Sequence, residues 1–94
     1  MDFNNIRLII KNQFPTSDII GFYLSIQNEG AYKMSLCPFH SDSKPSMFID
    51  DANKSYKCLT CNSSGDAISF VMRYRNLEML EAIQEISEKL KIKN

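Results

Sequence analysis

The chain has three cysteines and one histidine, and all four fall in a single pattern. Cys37-Pro38-Phe39-His40 is followed, after a gap of seventeen residues, by Cys58-Leu59-Thr60-Cys61. Ligands two residues apart grip one ion from a single tight turn. Two such knuckles, carried together by the segment between them, close a tetrahedral Cys3His shell around zinc. That requirement constrains the fold more than any other feature of the sequence. Residues 41–57 must leave one knuckle and return to the other, which a β-hairpin does in few residues. The blander readings explain less. Cys37 and His40 as nucleophile and base would lack an orienting third group and leave Cys58 and Cys61 without a role. A redox pair at Cys58 and Cys61 would lack βαβ surroundings. Four protein ligands leave no open position for water or substrate, so the zinc is expected to be structural, one ion per chain.

A metal also answers a problem of size. At 94 residues, a hydrophobic core alone gives marginal stability. A structural zinc contributes on the order of 10–16 kcal/mol of apparent binding in small zinc peptides, and that becomes folding free energy. An odd cysteine count argues against an intramolecular disulfide framework. No apolar run approaches membrane-spanning length, and the first four residues lack the basic start of a signal peptide. A cytoplasmic location with no membrane partner is therefore expected.

Eleven basic residues balance eleven acidic ones, with a pI near 6.5, so bulk charge does not argue for a nucleic-acid partner. Distribution says slightly more. Between Gly30 and Asn76 six bases face four acids, whereas Glu78, Glu81, Glu85 and Glu88 crowd the C-terminal segment.

Periodicity places helices on both sides of the knuckles. Phe3, Ile6, Ile9 and Ile10 predict a helix to about Gln13, ended by Pro15. Ser17 reads as the N-cap of a second helix from Asp18 to about Ile26. Asn28-Glu29-Gly30 reads as a turn, and Ala31 to Leu36 as a strand. Ser46–Ile49 and Lys54–Lys57 read as a hairpin turning through Asp50-Asp51-Ala52-Asn53. Asn62–Gly65 reads as a loop, and Asp66 caps a helix from Ala67 to Tyr74. A last helix carries Leu77, Leu80, Ile83, Ile86 and Leu90 on one stripe. The expected architecture is α+β, one unit over residues 1–94. A small zinc ribbon of antiparallel hairpins (about 30–65) is flanked by helices (about 3–26 and 67–91).

Beyond the ligands, Cys37-Pro38-Phe39-His40 with Lys44-Pro45-Ser46, Tyr56-Lys57-Cys58, Cys61 and Gly65-Asp66-Ala67-Ile68-Ser69-Phe70 resembles the CHC2 zinc-binding domain of bacterial DNA primases. Asp18-Ile19-Ile20 before the ribbon and Glu81-Ala82-Ile83 after it extend the resemblance over nearly the whole chain. It implies that Cys37, His40, Cys58 and Cys61 bind zinc and that the sheet contacts a single-stranded DNA template. It also implies cooperation with a separate polymerase domain or subunit of the primase, and the replicative helicase is a further candidate partner. Lys33, Lys44, Lys54 and Lys57 are then the candidates for phosphate and base contacts. Of the aromatic rings Tyr32, Phe48 and Tyr56, Phe48, which alternates with Met47 and Ile49, is the better candidate for base stacking.

The chain departs from that family at Leu59 and Thr60, where an aromatic residue and a glycine are usual, and at Asn62, where glycine is usual. Met47 stands where an aromatic is expected, with Phe48 one position later. Either Met47 lies in the core and Phe48 outside, or the register differs, because a one-residue step in a strand changes face. Tyr56 shares the face of Cys58 and is expected in the core. Arg73 and Arg75 are expected to satisfy the carbonyls ending their helix. The Glu78–Glu88 run is expected to be a solvated face.

No carboxylate constellation, phosphate-cradling glycine loop or spare nucleophile is present, so catalysis by this chain alone is not expected. The expected function is template binding in primer synthesis, with the polymerase on another chain or another domain. The alternative is a module that docks on a replication polymerase or helicase with little DNA binding of its own.

Overall fold

The computed structural model describes residues 2–29, 32–41 and 43–92. Two helices come first, α1 (Phe3–Gln13) and α2 (Thr16–Ile20). A five-stranded sheet follows in chain order: β1 (Gln27–Glu29), β2 (Tyr32–Ser35), β3 (Met47–Asp50), β4 (Ser55–Cys58) and β5 (Ser64–Gly65). Every neighbouring pair of strands is antiparallel. Helices α3 (Ala67–Arg75) and α4 (Met79–Leu90) complete the described chain.

Local chemistry sets most of these boundaries. The Asp2 carboxylate accepts the Asn5 N–H at 3.1 Å and starts α1, which turns Ile6 and Ile10 into the core. Asp66 accepts the Ser69 N–H at 2.8 Å while Ser69 Oγ accepts the Asp66 N–H at 2.9 Å, a reciprocal box at the start of α3. Asn76 ends α3 in left-handed geometry at φ 56°, and its N–H bonds back to the Met72 carbonyl. A second box, Glu78 with Glu81, opens α4.

Four expectations need correction. The second helix starts at Thr16, with Pro15 and not Ser17 at its cap, and ends at Ile20. Ser17 lies inside the helix because its hydroxyl and N–H both turn to Asp51. After Ile20 the chain tightens into turns, the Phe22 and Tyr23 N–H groups bonding to the carbonyls three residues back. Asn28 and Glu29 belong to β1 and not to a turn, because Gln27, Asn28 and Glu29 pair with Met34, Lys33 and Tyr32. Gly30 and Ala31 lie outside the described residues. Ser64 and Gly65 form a fifth strand on Lys57 and Tyr56 where a loop was expected. Leu80 is exposed, and the buried stripe of α4 runs through Ala82, Ile83, Ile86 and Ser87. That stripe follows the face that meets α1 and α3.

The sheet has two unlike faces. Ser35, Met47, Ile49, Tyr56 and Cys58 point to the helices and are buried. Met34 opposes Phe48, and Phe48 opposes Lys57, so these three share the other face. The register question at Met47 and Phe48 is thereby settled: Met47 is fully buried and Phe48 lies outside. Phe70 of α3 joins helices to sheet. Its ring meets Tyr56 edge-on at 5.4 Å and Phe39 at 5.6 Å, and stacks on Tyr74 at 5.5 Å.

Candidate metal centre and sheet surface

Two turns and the end of a strand bring the four ligands together. Cys37 and His40 lie in the turn after β2, Cys58 ends β4, and Cys61 lies in the turn that follows. The Asn62 N–H bonds to the Cys58 carbonyl at 3.0 Å, and Asn62 takes the left-handed backbone (φ 61°) for which glycine is the usual choice. The Cys58 N–H bonds to the Ser63 carbonyl at 2.8 Å, so the second knuckle closes on its own strand.

The ligand atoms all lie within 4.8 Å of one another. Cys37 Sγ and Cys61 Sγ are 3.8 Å apart, and His40 Nε2 is 3.3 Å from Cys58 Sγ. A tetrahedral ion with metal–sulfur bonds of about 2.3 Å sets sulfur atoms roughly 3.8 Å apart, so the donors fit zinc in number, kind and spacing. His40 Nδ1 is 3.0 Å from the Ser41 carbonyl, which can only accept. The proton therefore sits on Nδ1, and Nε2 keeps its lone pair for the metal. Cys37 and Cys58 are buried, whereas Cys61 is exposed.

The thiols differ in acidity. Burial pushes the Cys37 thiol up, reinforced by hydrogen bonds to Cys58 and Cys61. Burial also opposes ionisation of Cys58, but the Ser46 hydroxyl, the Cys61 and Thr60 N–H groups and His40 outweigh it and bring Cys58 down to about 6. Ser46 Oγ lies 3.4 Å from Cys58 Sγ. The pocket thus carries donors for sulfur charge before any metal arrives.

Three partners of the site went unread in the sequence: Ser46, Ser63 and Arg73. Arg73 does not cap its helix. Its guanidinium lies 4.1 Å from the centre of the Phe39 ring and donates to Ser63 Oγ at 2.8 Å. Arg75 instead pairs with Glu85 at 3.2 Å, and Tyr23 donates to the same carboxylate at 2.5 Å. Glu85 is therefore engaged, Glu81 accepts the Glu78 N–H, and the acidic run is only partly a free solvated face. The Tyr23 hydroxyl is pushed well above its ordinary range by burial and then by Glu85.

The remaining sequence candidates do not converge on one place. Phe48 and Lys57 are cross-strand partners on the outer face of the sheet. Tyr32 joins them, its ring edge-on to Phe48 at 5.6 Å and 62% exposed. Lys33 turns to Asp51 and Ser17 of the helical side, at 2.7 and 3.1 Å. Lys54 lines a cavity with Arg7, Lys11 and Phe14, also on the helical side. Lys44 is exposed in the loop between the first knuckle and β3.

A closed Cys3His site at the end of an antiparallel sheet, with helices packed on one face, defines a zinc ribbon in which the metal is structural. The chain belongs to the CHC2 zinc-finger family, whose profile matches residues 4–94. It is 37% identical over 70 residues to the DNA primase of Campylobacter jejuni, a match covering 74% of this chain and 12% of that protein. It is 34% identical over 86 residues to the DNA primase of Mycoplasma genitalium, covering 90% and 14%. The crystal structure of the Aquifex aeolicus primase, with its zinc-binding and RNA polymerase domains, superposes with a TM-score of 0.81 at 29% identity. That match covers 99% of this chain and 22% of the other. The chain thus spans less than a fifth of the length of the curated relatives it matches. Among the described residues no helix is long and apolar enough to cross a membrane.

Proposed function

We propose that the outer face of the sheet binds single-stranded DNA template and presents it to a primer-synthesising polymerase. The observation that carries this reading is the pairing of Phe48 with Lys57 beside the exposed ring of Tyr32. An aromatic platform stacks any base at about 1–3 kcal/mol each, and a neighbouring ammonium meets the phosphate. The opposite face is filled by core residues and by the zinc site, so the metal holds this surface in shape without touching the reaction. Lys57 and Phe48 form the centre of the proposed contact, and Lys44, exposed in the loop before β3, is a further candidate for it. Lys33 and Lys54, turned to the helices, are at most peripheral. The relatives are DNA primases, and the polymerase is proposed to lie on a further domain or on another chain.

The test has two arms. Labelled single-stranded oligonucleotides are titrated at low and moderate salt, with Phe48→Ala and Lys57→Ala beside the wild type. Primer synthesis on a single-stranded template is then measured with a primase polymerase domain, with and without this chain. Weak, salt-sensitive binding lost in both variants, together with stimulated synthesis, is expected. Absence of binding even at low salt overturns the reading. Tight docking on the polymerase in that case favours a protein-interaction module, and the same assay with a replicative helicase extends the comparison.

A further inference from the structure

A directed chain of hydrogen bonds runs from α3 into the metal site. Arg73 Nη1 donates to Ser63 Oγ at 2.8 Å, and Ser63 Oγ lies 3.0 Å from Cys61 Sγ. Its direction is fixed by chemistry. A guanidinium only donates, so the serine oxygen accepts from Arg73 and its own proton is free to point at the sulfur. The receiving atom is a thiolate whenever the metal is bound, which makes this a charge-assisted contact. It reaches the most vulnerable ligand: Cys61 is exposed, while Cys37 and Cys58 are buried.

The same guanidinium is held in place from the other knuckle. Its carbon lies 4.1 Å from the centre of the Phe39 ring, and Phe39 stands between Cys37 and His40. Phe39 in turn packs edge-on against Phe70 of α3 at 5.6 Å. Arg73 therefore spans both knuckles, stacked on the first and hydrogen-bonded into the second. The bound site carries a net negative charge from three thiolates, one divalent ion and a neutral imidazole, so a cation at this position is electrostatically matched to it.

We propose that Arg73, acting through Ser63, is a positioning residue that keeps the exposed Cys61 thiolate on the zinc and so sets how slowly the ribbon loses its metal. Release begins with the ligand that solvent, protons and competing chelators reach first. Removing its donor weakens that ligand alone. The inference concerns metal retention and stands whether or not the sheet binds DNA.

The test is zinc release from the loaded chain into an excess of a chromophoric chelator. Ser63→Ala and Arg73→Gln are each expected to release zinc about tenfold faster, the lower end of the effect of losing an outer hydrogen-bond partner of a metal ligand. Arg73→Lys, which keeps the charge but not the planar fork, is expected to fall between. Arg75→Gln, on the same helix but paired with Glu85, is expected to release at the wild-type rate. In cobalt-loaded protein the thiolate-to-metal absorption should shift in Ser63→Ala and Arg73→Gln, and stay put in Arg75→Gln. Because both substitutions break one relay, the double variant should be no faster than the faster single variant. Release within about twofold of wild type for both single variants overturns the proposal, as do independent, multiplying effects in the double variant. So does an Arg73→Gln protein that melts earlier while its cobalt spectrum is unchanged, since that marks Arg73 as packing only. Should Arg73→Gln fail to fold, Ser63→Ala decides: faster release with a shifted cobalt spectrum supports the relay, and wild-type behaviour refutes it.

Discussion

The ammonium of Lys33 lies 2.7 Å from Asp51 Oδ2, and the same carboxylate takes the Ser17 N–H at 2.8 Å and the Ser17 hydroxyl at 2.7 Å. One side chain in the hairpin turn thus joins β2 to α2. Burial alone would raise the Asp51 pKa, but Lys33 and the two Ser17 donors outweigh it and hold the carboxyl below its ordinary range. The hydrogen bond and charge of Asp51 in turn raise Lys33. A lysine read from sequence as a template contact is, in the fold, a tie between sheet and helix.

Asp51→Ala is accordingly expected to cost about 1–2 kcal/mol of stability, a modest figure because Lys33 remains partly in solvent. The pH dependence follows from the directions of the shifts. A depressed carboxyl contributes fully above its unfolded value of about 3.9, and the contribution fades as pH falls through the lower folded value. A raised ammonium contributes fully below its unfolded value of about 10.4, and the contribution fades only as pH rises through the higher folded value. The stability gap between wild type and variant, from urea melts of the zinc-loaded proteins, should stay constant between about pH 6 and pH 9. A gap that closes within that window would assign the effect to another group.

The ligands and the hairpin were legible in the sequence because their constraints are local. Cys37 and His40, or Cys58 and Cys61, declare themselves by spacing within one turn, and Asp66 declares its helix three residues from Ser69. The Arg73 clip was not legible. It joins residues ten and thirty-four positions apart along the chain, and nothing in the MRYR segment distinguishes its first arginine from its second. Ser17 was misread for a similar reason: a cap motif competes with a partner at residue 51, and the tertiary partner prevails. Leu80 fitted a helical repeat, yet the face of α4 is chosen by α1 and α3, which put Ala82 inside instead.

Removing the metal should unfold the ribbon end of the chain. Zinc binding requires three thiolates, so it releases protons, and affinity should fall as pH is lowered, burial holding the Cys37 thiol above its ordinary range. Chelation at neutral pH, or Cys58→Ser, is expected to abolish the cooperative thermal transition and the dispersed amide spectrum of β3 and β4. Retention of both in metal-free protein would refute a structural role for zinc.

Of the two glycines among the described residues, Gly65 is the one whose backbone no other residue adopts comfortably. It sits at φ 156°, and a Cβ there would collide with Ser69 Oγ, which is already committed to the Asp66 box. Gly65→Ala should therefore both strain β5 and break the start of α3, at a cost of about 2–3 kcal/mol. Differential scanning calorimetry of the zinc-loaded variant checks this, and a melting temperature equal to wild type would show that Ser69 moves aside freely.

Met47 and Phe48 are consecutive residues with opposite expected readouts. Met47 is fully buried beneath the zinc end of the sheet and opposes Cys58 across the ladder, so Met47→Ala leaves a cavity and should cost about 2–5 kcal/mol of stability. Phe48 faces outward between Met34 and Lys57, where truncation leaves no cavity in the core. Phe48→Ala should change the melting temperature little while lowering single-strand affinity by about 1–3 kcal/mol if one base stacks on its ring. Urea melts and oligonucleotide titrations on the same two variants separate the effects. A Phe48→Ala protein that is strongly destabilised, or that binds as tightly as wild type, would show that the outer ring serves the sheet and not the template.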